Sequence, residues 1–383
     1  MKLAAIVCEY NPFHLGHEYH IEKTKELTGC DGIVALMSGN FVQRGEPALF
    51  SKEIRAKAAA LKGADLCLEL APEYAVRPAE GFAEAAVWII TSIPEIKYLS
   101  FGAEEEDIDL IKKAAQLLSE EPKAYKTALK EELKKGVSYP RALMKALNET
   151  GEFLETKAFL SPNNILAVEY IKALNKAGSE IIPLAVKRKG AGHDSDDEEK
   201  EFLSASFLRS AFLDKRESVL KKGLSKDVFE MLGQKPFLDI DVFEKMLLAR
   251  IDLMAKDEIK EIPEVSEGLE NRIKKCVQDA DSLLELAQKI KCKRYTMARI
   301  NRILLRAGLG LKRNEDYPLP PYAKILSFSE RGQEILNRIK KSSQIPIIKN
   351  MTALKKSGDQ NLIRQYEKEA ALDRVYKIFE KKI

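Results

Sequence analysis

The first hundred residues carry continuous apolar runs separated by segments of helical period. Leu3–Cys8 is a short apolar run, and Gly16–Leu27 follows it with helical spacing. Gly32–Met37 is a second run, then comes the helical stretch Lys52–Leu61, and Ala64–Leu70 is a third run. Glu80–Thr91 reads as helix again, and Ile96–Phe101 is a fourth apolar run that ends at Gly102. Runs that do not alternate belong to strands covered on both faces, so the pattern predicts a parallel sheet with helices on either side. The expected fold class is therefore α/β, a doubly wound Rossmann-like sheet.

From about residue 106 to 178 the period is helical, with Pro122, Pro140 and Pro162 as breakers. Glu180–Val186 restores a strand, followed by the loop Lys187-Arg188-Lys189-Gly190-Ala191-Gly192-His193-Asp194 and an acidic stretch to Glu201. Ser204-Ala205-Ser206-Phe207-Leu208-Arg209 has the form of an N-cap opening a helix. Beyond about 215 the spacing is almost wholly helical. Two domains are expected, an α/β domain over 1–214 and a mainly helical, basic domain over 215–383.

Charge sharpens this division. Residues 1–210 hold 27 Lys and Arg against 33 Asp and Glu, whereas residues 288–383 hold 23 against 9. A basic region of this kind is the electrostatic footprint of a polyanion site. Lys291, Lys293, Arg294, Arg299, Arg302 and Arg306 crowd one stretch that has no acidic residue from Lys291 to Arg313. Tyr295, Arg299, Arg302 and Arg306 fall at the spacing of one helix face, where a tyrosine can stack on a base while arginines hold phosphates. Lys293, Arg294, Tyr295, Arg299, Arg302 and Arg306 are thus the candidate contacts to a nucleic acid.

Other classes are set aside on composition. No run approaches the 18 apolar residues a membrane span needs, so no membrane partner is expected. Met1–Val7 reads as a strand, with no signal peptide in it. The five cysteines are far apart and form no CxxC pair, which suits a reducing cytoplasm better than a disulfide framework.

All four histidines lie at predicted loop ends. His14, His17 and His20 follow the first strand, and His193 sits in the loop after the last predicted one. Ligands of a parallel sheet bind at the carboxyl ends of its strands, so both groups map to one edge. The spacing of the three histidines drifts around a helix and no carboxylate pattern completes a metal site, so none is expected. Phosphate chemistry fits better. An HxGH turn at a helix N-terminus offers two imidazoles to growing charge, and Gly16 lets phosphates approach the backbone.

Glu9-Tyr10-Asn11-Pro12-Phe13-His14-Leu15-Gly16-His17 resembles the HIGH signature of the nucleotidyltransferase superfamily. Ser204–Arg209 matches its second signature, a Ser-rich turn before a helix with an Arg. More closely, the chain is similar to the bacterial tRNA(Met) cytidine acetate ligases. Met37–Ala48, Ser100-Phe101-Gly102, Pro162–Leu166, Lys187–Asp194 and Lys293–Ile300 carry this likeness in order along the chain. One departure is Gly192-His193-Asp194, where the family has a tyrosine before the histidine.

The resemblance implies that ATP, with Mg2+, and acetate give acetyl-adenylate and pyrophosphate. The acetyl group then passes to N4 of the wobble cytidine of elongator tRNA(Met). It implies catalytic roles for His14 and His17. It also implies an ATP site of Val7, Cys8, Glu9, Tyr10, Asn11, Pro12, Phe13, His14, Leu15, Gly16, His17, Glu18, Tyr19 and His20, with Gly102, Asn163, Arg188, Lys189 and Ser206. Asn163 is favoured over its neighbour Asn164. Gln43 and Arg44 stand at the right edge for a substrate contact, but a solvated loop is the plainer expectation for them. The alternatives are a transferase that adenylylates a phosphorylated small molecule, and an RNA-binding protein with an inactive nucleotide fold.

Overall fold

The computed structural model describes residues 1–105, 107–137, 139–149, 161–188, 202–312, 318–355 and 358–381. Seven strands among them form one sheet: β1 (Leu3–Cys8), β2 (Gly32–Ser38), β3 (Leu66–Leu70), β4 (Ile96–Ala103), β5 (Ile182–Lys187), β6 (Ala323–Phe328) and β7 (Ile347–Ile348). The order across the sheet is β7-β6-β3-β2-β1-β4-β5. Every pairing is parallel except β3 with β6, where Leu66 faces Phe328.

Alternate residues of β1 feed two cores. Leu3 and Ala5 join the face covered by α3 (Ala79–Thr91), α4 (Pro162–Lys176) and α8 (Glu330–Ser342). Ala4 and Ile6 join the face covered by α1 (Leu15–Thr28), α2 (Lys52–Leu61) and α5 (Ala205–Leu213). Both faces are dry, which is why the strands read as unbroken apolar runs.

Two expectations need correction. The sheet does not end with β5, because β6 and β7 return from the basic half and pair at the β3 edge. The division at 214/215 also cuts through a shared core: Val219, Leu220, Val228 and Leu232 pack with α2 and α5 on the sheet. The separate helical core lies further on, between Ile251 and Ala307, built partly from α7 (Met297–Leu309). It meets the sheet half through a cluster of Phe41, Val76, Phe243, Leu247, Leu305, Leu372 and Tyr376. Here Phe243 and Leu247 come from α6 (Ile240–Leu253), and Leu372 and Tyr376 from α9 (Gln360–Ile378).

Candidate active site

From β1 the chain winds toward β2 and β3, and from β4 toward β5, so the switch of direction falls between β1 and β4. A doubly wound sheet opens a crevice at the carboxyl ends of such a pair. A cleft lies there, lined by residues 6–11, the start of α1, Gly102, Arg188 and the start of α5.

The HxGH turn builds its wall of the cleft from its own side chains. His14 is the N-cap of α1, and its Nδ1 accepts from the Gly16 amide at 3.0 Å. His17 Nδ1 in turn accepts from the His14 amide at 3.2 Å. This is a capping box made from two imidazoles, whose rings lie 3.8 Å apart. An Nδ1 that accepts carries no proton, so each neutral ring is a donor at Nε2. Gly16 is needed for this geometry, because a Cβ there would come within 2.9 Å of His14 Cε1. His20 Nε2 lies 2.9 Å from Ser100 Oγ, and burial together with Arg188 pushes its pKa down to about 4.

At the β4–β5 side, the Arg188 side chain lies across Gly102 and reaches Glu104, with Nε to Oε1 at 3.6 Å. Burial lowers the Arg188 pKa, partly offset by Glu104. Asn163 lines the cleft and donates to Glu104 Oε1 at 2.7 Å. Asn164 is fully buried, its Oδ1 accepting from the Glu104 and Glu105 amides. The doublet thus has one member on the cleft and one holding the loop after β4.

At the opposite side, Arg209 of α5 donates to the Asn11 carbonyl at 2.9 Å and approaches Glu46 at 3.5 Å. Glu46 belongs to a short hairpin, Phe41–Val42 against Glu46–Pro47, whose Val42, Arg44 and Glu46 all face the cleft. This corrects the solvated-loop expectation. Phe41 and Val42 are buried, Gln43 bonds Glu9 and the Arg77 carbonyl, and the turn presses on α7. Gly45 has φ +83°, and a Cβ there would meet the Arg302 amide nitrogen at 2.3 Å.

Of the expected ATP segment, Val7, Cys8, Glu9, Tyr10, Asn11, His14, Gly16, His17, Tyr19 and His20 line the cleft. Pro12, Phe13, Leu15 and Glu18 do not. Phe13 is a core residue, and Glu18 faces Lys62 and Ser225 on the outside of α1. Ser206 is also off the wall: its hydroxyl lies 3.0 Å from that of Ser204, which caps α5. Lys189 and His193 lie outside the described residues. Spacing alone singled out neither Glu46 nor Phe202, both of which line the cleft; the Gly45 turn was the one available sign of the hairpin.

The expected tRNA helix face is corrected more strongly. Tyr295 precedes α7, and Arg299 lies over its ring at 4.8 Å while donating to the Glu264 carbonyl and Ser266. Arg302 is buried in a two-point pair with Glu264 at 2.8 and 2.6 Å. Arg306 is buried too and donates to the Val76 carbonyl at 2.6 Å. These arginines join α7 to the rest of the protein. Lys291, Lys293 and Arg294 remain exposed.

Comparison with known proteins agrees with this architecture. The family described as HIGH Nucleotidyl Transferase matches residues 1–383. A tRNA(Met) cytidine acetate ligase of Clostridium novyi is 43% identical over 357 residues, covering 91% of this chain and 89% of the relative. One from Acetivibrio thermocellus is 38% identical, covering 98% and 94%. A crystal structure of Thermotoga maritima TmcAL bound with alpha-thio ATP is 34% identical with a TM-score of 0.90, covering 99% of this chain and 95% of that one. Sheet, HxGH cap and whole-length likeness lead to one assignment: the chain belongs to the HIGH nucleotidyl transferase family, among the tRNA(Met) cytidine acetate ligases.

Proposed function

We propose that this protein joins acetate to the wobble cytidine of elongator tRNA(Met) at the expense of ATP. An acetate oxygen attacks the α-phosphorus, the α–β phosphoanhydride bond breaks, and pyrophosphate leaves. The cytidine N4 then attacks the acetyl carbon, the bond to the phosphate oxygen breaks, and AMP leaves. The observation that carries the reading is the double-imidazole cap at the β1/β4 switch point. Two preorganised Nε2–H donors and the positive end of α1 face the place where phosphate charge grows. Arg188 and Asn163 stand where the nucleotide's far end would lie, with the Arg188 side chain across Gly102. Mg2+ comes with the nucleotide. Glu46 is engaged with Arg209, and Glu104 with Asn163 and Arg188, so the metal would be held mainly by phosphate oxygens and water and would supply charge neutralisation there.

For tRNA, the exposed cations Lys291, Lys293 and Arg294 take the place of the buried arginines as the proposed contacts. No described helix is long and apolar enough to cross a membrane. Mass analysis of bulk tRNA after incubation with the protein, ATP and labelled acetate tests the reading. The expected product is acetylated elongator tRNA(Met), with AMP and pyrophosphate in equal amount. Full turnover of ATP with a phosphorylated small molecule and no tRNA would point instead to a small-molecule adenylyltransferase.

A further inference from the structure

We propose that Glu9 accepts the hydrogen bond, and then the proton, of the cytidine amine during acetyl transfer; this rests on the acetate-ligase reading above. The cleft has two charged ends. Arg188 and Asn163 flank the β4–β5 side, while Glu9, Arg44, Glu46 and Arg209 gather on the other, beside the hairpin. With the phosphates at the start of α1 and the nucleotide toward Arg188, the second substrate meets the acyl carbon from the Glu9 side.

Glu9 is fixed for such a task. It directly follows β1, its backbone carbonyl accepts from Arg55 Nη1, and its Oε1 accepts from the Gln43 amide at 2.9 Å. Arg55 is itself fully buried. The Glu9 carboxyl is recessed yet lines the cleft, so solvent is scarce but a substrate can reach it. Burial raises its pKa, opposed by the Gln43 amide, Arg44 and Arg209 and reinforced by Glu46. Arg55 of α2, Tyr170 of α4 and Cys8 also lie within electrostatic reach.

The chemistry requires a group of this kind. The N4 lone pair of cytosine is delocalised into the ring and becomes a nucleophile as an N–H proton departs. The N4–carbon bond forms, the carbon–oxygen bond to AMP breaks with its electron pair on phosphate, and the proton goes to the carboxylate. A carboxylate also recognises the cytosine amine by accepting from it. Other candidates in and beside the cleft are occupied, His20 by Ser100 at 2.9 Å. His14 and His17 accept backbone N–H groups at Nδ1, Glu46 pairs with Arg209, and Glu104 belongs to the Arg188 end. Cys8 and Tyr10 are held in their neutral forms by burial.

The test compares two half-reactions in the full-length protein with purified elongator tRNA(Met). Acetate-dependent ATP–pyrophosphate exchange reads activation, and single-turnover acetylation of tRNA reads transfer. Glu9→Gln should slow transfer by about 10²-fold or more relative to exchange measured on the same variant, the scale for a lost general base, the ratio being the readout because Glu9 also lines the nucleotide cleft. The wild-type transfer rate should fall on the acid side at a pH above the ordinary carboxylate range. That acid limb should vanish in Glu9→Gln and persist in Glu9→Asp. Equal transfer by Glu9→Gln, or a parallel fall of both half-reactions with the acid limb unchanged, would overturn the proposal. If the wild-type protein exchanges but never acetylates tRNA, the acetate-ligase reading fails and the role of Glu9 with it.

Discussion

His14 and His17 do two things at once, and substitution separates them. His14 caps α1 through Nδ1 while keeping Nε2 as a donor; His17 closes the box and stacks on it. Replacing either by Ala should slow acetate-dependent ATP–pyrophosphate exchange by about 10²-fold or more, the scale for one preorganised donor. The His14 variant should also lose about 1 kcal/mol of stability with its cap, measurable by chemical denaturation. Equal exchange in wild type and both variants would remove them from catalysis. His20 makes a different prediction. Its folded pKa is about 4 against an ordinary 6.5, so between those values the unfolded chain binds more protons. Stability should therefore be intact above about 6.5 and fall as the pH drops toward about 4. His20→Gln should flatten that slope in denaturation curves taken across the range. At this scale the sequence was legible where residue type alone limits the role, as with an HxGH turn after a strand. It could not separate Asn163 from Asn164, because burial of one depends on amides from a different loop, those of Glu104 and Glu105.

At the scale of elements, the strands and helices around the cleft were readable because their apolar periods are strong. Lys52–Leu61 is a helix with the predicted limits, and Ser204 caps α5 as its spacing suggested. The face of α7 departs from the expectation for a physical reason. A spacing of three, four and seven residues names one side of a helix, but not what that side meets. Its acidic partner, Glu264, lies 38 residues upstream of Arg302, beyond the reach of any local charge count. The consequence is measurable. Arg302→Glu should lower stability by about 3 kcal/mol or more, since breaking a buried pair strands its partner. Lys293→Glu with Arg294→Glu, on exposed positions, should leave stability nearly unchanged and weaken tRNA binding with a shallower salt dependence, as fewer counterions are released. Filter binding at several salt concentrations, beside thermal melts, distinguishes the two. Intact tRNA affinity in the Lys293/Arg294 variant would move the interface elsewhere.

Across the whole molecule, the feature least legible in the sequence is the return of the basic half to the sheet. β6 has six residues, lies among helices, and pairs with β3 across more than two hundred positions. Its register is set by tertiary contacts that no local pattern records. Buried charge locks it in place. Lys52 of α2 donates to Glu69 of β3 at 2.7 Å and to Asp373 of α9 at 2.6 Å. Lys324 of β6 reaches the same two carboxylates at 3.2 and 3.3 Å. Asn40, just before the cleft hairpin, donates to Asp373 and accepts from the Lys52 amide. Part of the basic excess of the C-terminal stretch is therefore spent inside the protein, on Lys324 as on Arg302 and Arg306, and is not available to RNA. Removing Asp373 leaves two lysines sharing Glu69, with Lys52 almost fully buried. Asp373→Ala should then cost about 3 kcal/mol, and because Asn40 loses its anchor, exchange activity should decline with it as the hairpin loosens. Replacing Asp373 by Asn keeps a hydrogen-bond acceptor for Asn40 and for a lysine but not the charge, so it should fall between wild type and Ala. Denaturant titration of the three proteins, paired with pyrophosphate exchange, gives the order directly. A loss below about 1 kcal/mol in Asp373→Ala would mean that the apolar contacts of Leu372 and Tyr376, rather than the ion pairs, hold α9 to the sheet.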